Sequence, residues 1–295
     1  MLKRKLGHIT HMITWPLVKK SASWSMVIIG GVSTAMTVVG ASLVDLLSQD
    51  WGWPLRLLFL AVIFVAIAVA AAFVTCRRSG SGVHATICST DVEVKVGDLF
   101  NFGGIKVIPF DEYFDTEVDD KVISRSSLNG IFLERKAEHR ELILRTIAEP
   151  QQSVLGEPED AGGRLRYRLG TVKAFDDYAL LAFTHMDEFN RAYLERGQYE
   201  ECLLNMWDEL DRMYAGRRVV LPLLGSGITR FKGAQPSEDD LLRCMLCTLR
   251  ASGHRFSGGV LIVLTKKTAS KMRLYEVKDY TDAWRQGMGE KNGLL

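Results

Sequence analysis

Cysteine is scarce and odd in number: Cys76, Cys88, Cys202, Cys244 and Cys247 are the five in 295 residues. That excludes a disulfide-stapled scaffold and makes free thiols the expectation. Cys244-x-x-Cys247 has no second Cys or His pair nearby in sequence, so helix packing is preferred over zinc or redox chemistry. No metal site, no resident cofactor and no catalytic residue are expected. A strong charge of either sign is also missing, with 37 basic against 35 acidic residues. The balance is uneven along the chain. Residues 1–78 hold eight basic and two acidic side chains, so the remainder is net acidic. An acidic remainder lacks the surface that displaces counterions from a nucleic acid, and no such partner is expected. Composition, at 47% hydrophobic, excludes intrinsic disorder. No internal repeat is visible, and the length exceeds that of the usual single domain.

Charge is absent altogether from two long runs. Ser21–Val44 spans 24 residues and Leu57–Thr75 spans 19. As helices they reach roughly 36 and 28 Å, against a hydrocarbon core of about 30 Å. The first is too long, and starts too late, for a cleaved signal sequence. A pair of buried core helices is the competing reading, although soluble helices rarely run so far without a charge. The expected organisation is a basic arm and transmembrane hairpin over residues 1–78, with spans at about 21–47 and 55–75. A linker follows at 79–84, then a second domain over 85–295. Basic residues Lys3, Arg4, Lys5, Lys19 and Lys20 precede the first span, and Arg77 and Arg78 follow the second. Both termini and the second domain should therefore lie on the cytoplasmic side of the inner membrane, with the basic arm on lipid headgroups. Trp15, Trp24, Trp51 and Trp53 sit where interfacial aromatics belong. With no ionisable side chain at mid-membrane, an ion relay is not expected. Gly30 with Thr34, and Gly31 with Ala35, are small-residue pairs that allow close helix approach. They fit packing inside the hairpin, or association between copies, or a weakly polar pore surface.

Past the linker, hydrophobic patterning alternates between strand and helix periods. Val92–Val96, Ile105–Phe110, Val219–Leu224 and Gly259–Leu264 read as strands, with Tyr167–Phe175 and Ala179–Thr184 a strand pair turning at Asp176-Asp177. Arg140–Ile147, Glu188–Tyr214 and Ser237–Ser252 read as helices, the last opened by a capping box from Ser237 to Asp240. Glu117–Asn129 mixes helix and loop signals, and Glu149–Gly163 is an exposed insertion. The alternation predicts an α/β sheet covered on both faces.

The strongest chemical signal is Leu221-Pro-Leu-Leu-Gly-Ser-Gly-Ile-Thr-Arg-Phe231, a buried strand running straight into glycines. Glycines there permit positive φ and remove the Cβ that would block a ligand, so that successive N–H groups can cradle an anion. No Gly-Lys-Ser/Thr follows, which excludes a Walker loop, and the strand is too late in the chain for a Rossmann fingerprint. A second signal is Gly97-Asp98-Leu99-Phe100 after the first strand, where Asp98 either accepts from an exocyclic amine or caps a turn. His185, at a strand end, is read as a satisfied histidine before it is read as a ligand contact.

Taken in order, Gly97-Asp98-Leu99-Phe100, the Ile105–Phe110 strand and the late Pro-Leu-Leu-Gly-Ser-Gly-Ile-Thr-Arg-Phe resemble a macro domain, the fold that binds ADP-ribose. With the run from Pro109 to Thr116 and on through Ser126–Gly130, the chain is more specifically similar to the divergent macro domain that follows two transmembrane helices in effectors of Thoeris anti-phage defence. The resemblance covers most of residues 85–265 and the hairpin. It implies a three-layer α/β/α domain with a mixed sheet and a ligand derived from ADP-ribose. Asp98, with Leu99 and Phe100, would meet the adenine. Leu224, Gly225, Ser226, Gly227, Ile228 and Thr229 would wrap the diphosphate and distal ribose, and Phe231 would pack on that ribose. Ser126, Ser127, Leu128, Asn129 and Gly130 would replace the family's glycine-rich first loop, and Asp111 would lie at the site. Pro109-Phe110-Asp111-Glu112 stands where hydrolytic relatives carry Asn-Ala-Ala-Asn, so the resemblance implies binding without cleavage, with Asp111 the one remaining base. It further implies a partner TIR-domain enzyme that makes the signal, histidine-ADP-ribose being the expected compound. The last implied steps are homo-oligomerisation and disruption of the bilayer. A tethered ADP-ribosyl hydrolase and a non-lytic scaffold are the alternatives.

Overall fold

The computed structural model describes residues 15–38, 53–79, 82–119, 123–149, 153, 155–274, 276, 277 and 279–284. The basic arm, residues 39–47 of the first expected span, the 45–52 connection with Trp51 and the tail past 284 lie outside the described residues. The chain divides into two compact units at Ser81 and Gly82, inside the expected linker.

The first unit holds α1 (Trp15–Val38) and α2 (Trp53–Ser79), which pack on each other. Helix α1 begins earlier than the uncharged run, taking in Lys19 and Lys20. Its hydroxyls turn back on their own helix: Ser25 Oγ donates to Ser21 O at 2.9 Å and Thr34 Oγ1 to Gly30 O at 2.8 Å. Polar groups are thereby satisfied without water. A Cβ at Gly30 or Gly31 would meet nothing within 4 Å among the described residues, so packing inside the pair does not require these glycines. Among the described residues one helix, α2, is long and apolar enough to cross a membrane, with mean hydropathy 2.5 over Trp53–Ala71.

The second unit opens with a hairpin, β1 (Val83–Ile87) and β2 (Thr90–Val96), whose turn residues Cys88 and Ser89 take positive φ. Strand β1 starts inside the expected linker. A 3₁₀ turn (Leu99–Asn101) leads to β3 (Ile105–Asp111), then α3 (Leu128–Arg135) and α4 (Arg140–Ala148). Within the predicted insertion, β4 (Glu159–Asp160) pairs with β5 (Leu165–Arg166). Strands β6 (Val172–Phe175) and β7 (Tyr178–Met186) are antiparallel about the Asp176-Asp177 turn. Glu188–Tyr214 is not helical throughout: β8 (Ala192–Leu194) precedes α5 (Arg196–Met213). Then come β9 (Val219–Pro222), β10 (Arg230–Phe231), α6 (Glu238–Ser252), β11 (Val260–Leu264) and α7 (Lys266–Ala269). Ser237 caps α6 in a capping box with Asp240, and Gly253, in the left-handed conformation, ends it.

The main sheet runs β1-β2-β11-β9-β3-β7-β8-β10, with β6 also on β7. Strands β2, β11, β9, β3 and β7 are parallel, so their carboxyl ends share one edge. One face packs α5, α6 and the 272–277 segment through Trp207, Met206, Leu246 and Met272. The other packs the 3₁₀ turn, α3 and α4 through Leu99, Phe132 and Ile143. Both faces of the central strands are therefore apolar: in β9, Val219 and Leu221 point one way and Val220 the other.

Candidate functional site

Where adjacent parallel strands send their connections to opposite faces, their carboxyl ends leave a crevice between them. Strand β3 leads to α3 on one face, and its neighbour β9 leads to α6 on the other. Strands β2 and β11 diverge the same way, so the crevice runs along four strand ends, about 14 Å at ordinary strand spacing. Its walls are residues 97–101 and 124–130 on one side, and 223–229 and 265–269 on the other.

The 223–229 wall is anchored deep and open at its tip. Leu223, Leu224 and Gly225 are buried, whereas Gly227 and Ile228 are exposed. The buried Tyr199 hydroxyl, on the first turn of α5, donates to Leu224 O at 3.0 Å. Gly225 has φ +82, and a Cβ there would press Leu241 and the Phe231 ring at 3.2 Å. Ser226 closes the turn, its N–H and Oγ both donating to Leu223 O, at 3.2 and 2.6 Å. Among the described residues the next three amides, of Gly227, Ile228 and Thr229, have no hydrogen-bond partner. Successive unpaired N–H groups at a strand end form an anion cradle. Phe231 stands apart from these residues. Its ring is 7% exposed and lies edge-on to Tyr199, 5.5 Å away, beneath Gly225, so it supports the loop from within the core.

The facing wall is a capped helix start. Ser127 Oγ accepts from Gly130 N–H at 3.0 Å and donates to Ser124 O at 2.6 Å. The same Ser124 O would lie 2.3 Å from a Cβ at Gly130, so glycine is required for that close approach. Ser126 is held by Ser124 Oγ, and Leu128 and Asn129 open the helix, whose partial positive charge faces the crevice. Asn129 is buried, and its Oδ1 has no hydrogen-bond partner. An orphan acceptor there costs about 1–3 kcal/mol until a donor arrives.

At the β2 end, Asp98 Oδ1 accepts from Phe100 N–H at 3.1 Å, and Oδ2 lies 3.4 Å from the Arg135 guanidinium. It caps the 3₁₀ turn while its side chain stays 45% exposed, and Arg135 stacks on Phe100. Leu99 is buried below. At the β3 end, buried Asp111 accepts from the N–H groups of Tyr113 and Asp115. Burial, helped by the Asp115 charge, pushes its carboxyl up to about 6. Phe114 holds that turn in a left-handed conformation, φ +54. Its ring is wedged against Phe110 and Tyr167, and the buried ring offsets the strain.

The next residue, Glu112, is buried and pairs with His185 at the end of β7, Oε2 to Nδ1 at 2.7 Å. Sequence reading passed over this couple. Its two halves are 73 positions apart, and the available signal was a carboxylate and a histidine each ending a buried strand. Cys244 is half-buried on α6, where burial pushes its thiol up to about 12, and among the described residues no His/Cys/Asp/Glu group could hold a metal ion.

Fold and site together define an α/β domain with a switch-point crevice built for an anion along its strand ends. A family model for the Thoeris protein ThsA macro domain matches residues 92–265, and the chain belongs to that anti-phage defence family. It is 37% identical over 215 residues to the Thoeris protein ThsA of Bacillus amyloliquefaciens strain Y2, covering 70% of this chain and 69% of that protein. Among solved structures it is similar to the Oceanobacillus iheyensis macrodomain with ADP, at 13% identity and TM-score 0.43, over 70% of this chain and 98% of that one. The same macrodomain with MES bound gives 13% and 0.40, over 70% and 98%.

Proposed function

We propose that this chain is a membrane-anchored Thoeris effector whose second unit binds an ADP-ribose-derived signal. The observation that carries this is the row of unpartnered amides at 227–229, set across the crevice from the capped start of α3. A diphosphate would lie between them, with adenine toward Asp98 at the β2 end and the distal ribose toward β3. Histidine-ADP-ribose, made by a partner TIR enzyme, is the signal this reading favours. The domain reads the nucleotide without cleaving it. One observation favours hydrolysis as a second reading: the Asp111 carboxyl, held at about 6, has the basicity of a general base near neutral pH.

The first unit anchors the protein as a two-span hairpin with both termini cytoplasmic. Leu58, Val62, Val65 and Val69 of α2 are each at least 58% exposed, a surface that lipid would cover. The open faces of Gly30 and Gly31 support association between copies over packing within one hairpin. Ligand switches such a protein only if it binds the assembled state more tightly than the resting one. Full-length protein in dye-loaded liposomes tests the whole reading. Leakage is expected on adding histidine-ADP-ribose and not with buffer. Release of ribose products without leakage would favour the hydrolase.

A further inference from the structure

One strand beyond the switch point, the same edge of the sheet carries a cavity of about 290 Å³ beside Glu112 and His185, lined also by Glu159, Arg166, Arg168 and Glu201. It is joined to the crevice at three points. Asp111 and Glu112 are consecutive at the end of β3. Gln198 lines the cavity, and its neighbour Tyr199 holds the head of the glycine loop through Leu224 O. The His185 ring packs on Tyr193 of β8, whose partner β10 is where that loop ends. A ligand laid from β2 to β3 therefore extends into this cavity and not into solvent.

The lining says what kind of group fits. Glu112 is nearly buried, takes Met186 N–H on Oε1 at 3.4 Å and holds His185 Nδ1 on Oε2, which fixes the ring. His185 Nε2 has no hydrogen-bond partner among the described residues. Two guanidinium groups and two further carboxylates surround it. Arg166 is tied to Glu159 across the β4–β5 pair, whereas Arg168 and Glu201 stand 3.7 Å apart, loosely matched and half in solvent. A volume of about 290 Å³ is worth about ten waters, the size of a small substituent and too little for a nucleotide. Opposite charges at that spacing suit a group with opposite charges of its own.

We propose that this cavity takes a small zwitterion, one carboxylate and one ammonium as in an amino acid, carried on the distal end of the nucleotide. Arg168 receives the carboxylate, Glu201 the ammonium, and His185 Nε2 the remaining polar atom. The proposal rests on the glycine loop holding the diphosphate.

The test is calorimetric titration of the full-length protein in detergent with three probes: ADP-ribose, ADP-ribose linked to imidazole, and ADP-ribose linked to histidine through its ring. The histidine conjugate should bind about tenfold to a hundredfold more tightly than the imidazole conjugate, the worth of one or two charged hydrogen bonds. Arg168→Gln and Glu201→Gln should each remove about tenfold of that margin. Both side chains are at least 60% exposed, so the fold is kept, and affinity for plain ADP-ribose should stay within about twofold. If ADP-ribose binds but the wild type shows no margin, or the variants leave it intact, the cavity assignment is overturned and the glycine-loop reading stands. If none of the three probes binds the wild type, the loop reading falls and takes this one with it.

Discussion

Replacing Gly227 with tryptophan separates what the glycine loop does for the fold from what it does for a ligand. The residue is exposed, its φ lies outside the left-handed region, and a Cβ there meets nothing within 4 Å. An indole at this position should cost folding no more than about 0.5 kcal/mol, as at other open surface sites. It would, however, stand over the free amides of residues 227–229. Losing two of those donors to a phosphate, at about 1.5–3 kcal/mol each, weakens binding by about 3–6 kcal/mol, or roughly 10²–10⁴-fold. Gly225→Ala is the contrasting change. At φ +82, with Leu241 and Phe231 at 3.2 Å, it should cost stability by about 1–2 kcal/mol or more. Titration with ADP-ribose conjugates and thermal melting of both variants give the readout. Gly227→Trp should melt like the wild type and bind weakly, and Gly225→Ala should melt several degrees lower. A folded Gly227→Trp with unchanged affinity would refute the cradle.

Burial holds Asp111 near 6, so the native chain keeps a proton there that the unfolded chain has released between about pH 4 and 6. Stability from this group therefore falls as pH rises through that window, by about 3 kcal/mol at most, and Asp111→Asn should flatten that part of a denaturation-versus-pH curve; parallel curves for the two proteins count against the reading. Gly130→Ala drives a Cβ into Ser124 O and should lower stability by about 2 kcal/mol or more in chemical denaturation. Phe231→Ala empties a core position against Tyr199 and should cost about 3–5 kcal/mol, far more than loss of a ligand contact alone. Lysine at both Val62 and Val65 places charge mid-helix at about 2.5–3.5 kcal/mol each, and should move the protein out of the membrane fraction.

Local chemistry made much of this protein legible. The absence of charge in α2, the apolar runs of β3, β9 and β11, and the capping box at Ser237 all act within a few residues, so pattern alone reveals them. The turn into Gly225-Ser226-Gly227 is equally local, because glycine at the end of a buried strand carries its own steric meaning. Other features depended on partners far away in sequence. Residues 192–194 lie in a stretch patterned like a helix, yet they form a strand because β7 and β10 offer edges to pair with. Phe231 reads as a loop aromatic until Tyr199 and Leu241 close around it. The strand order, which sets β3 beside β9 with their helices on opposite faces, decides that there is a crevice at all. The pairing of Glu112 with His185 was decided at the same level, since burial and register bring together groups that periodicity cannot relate.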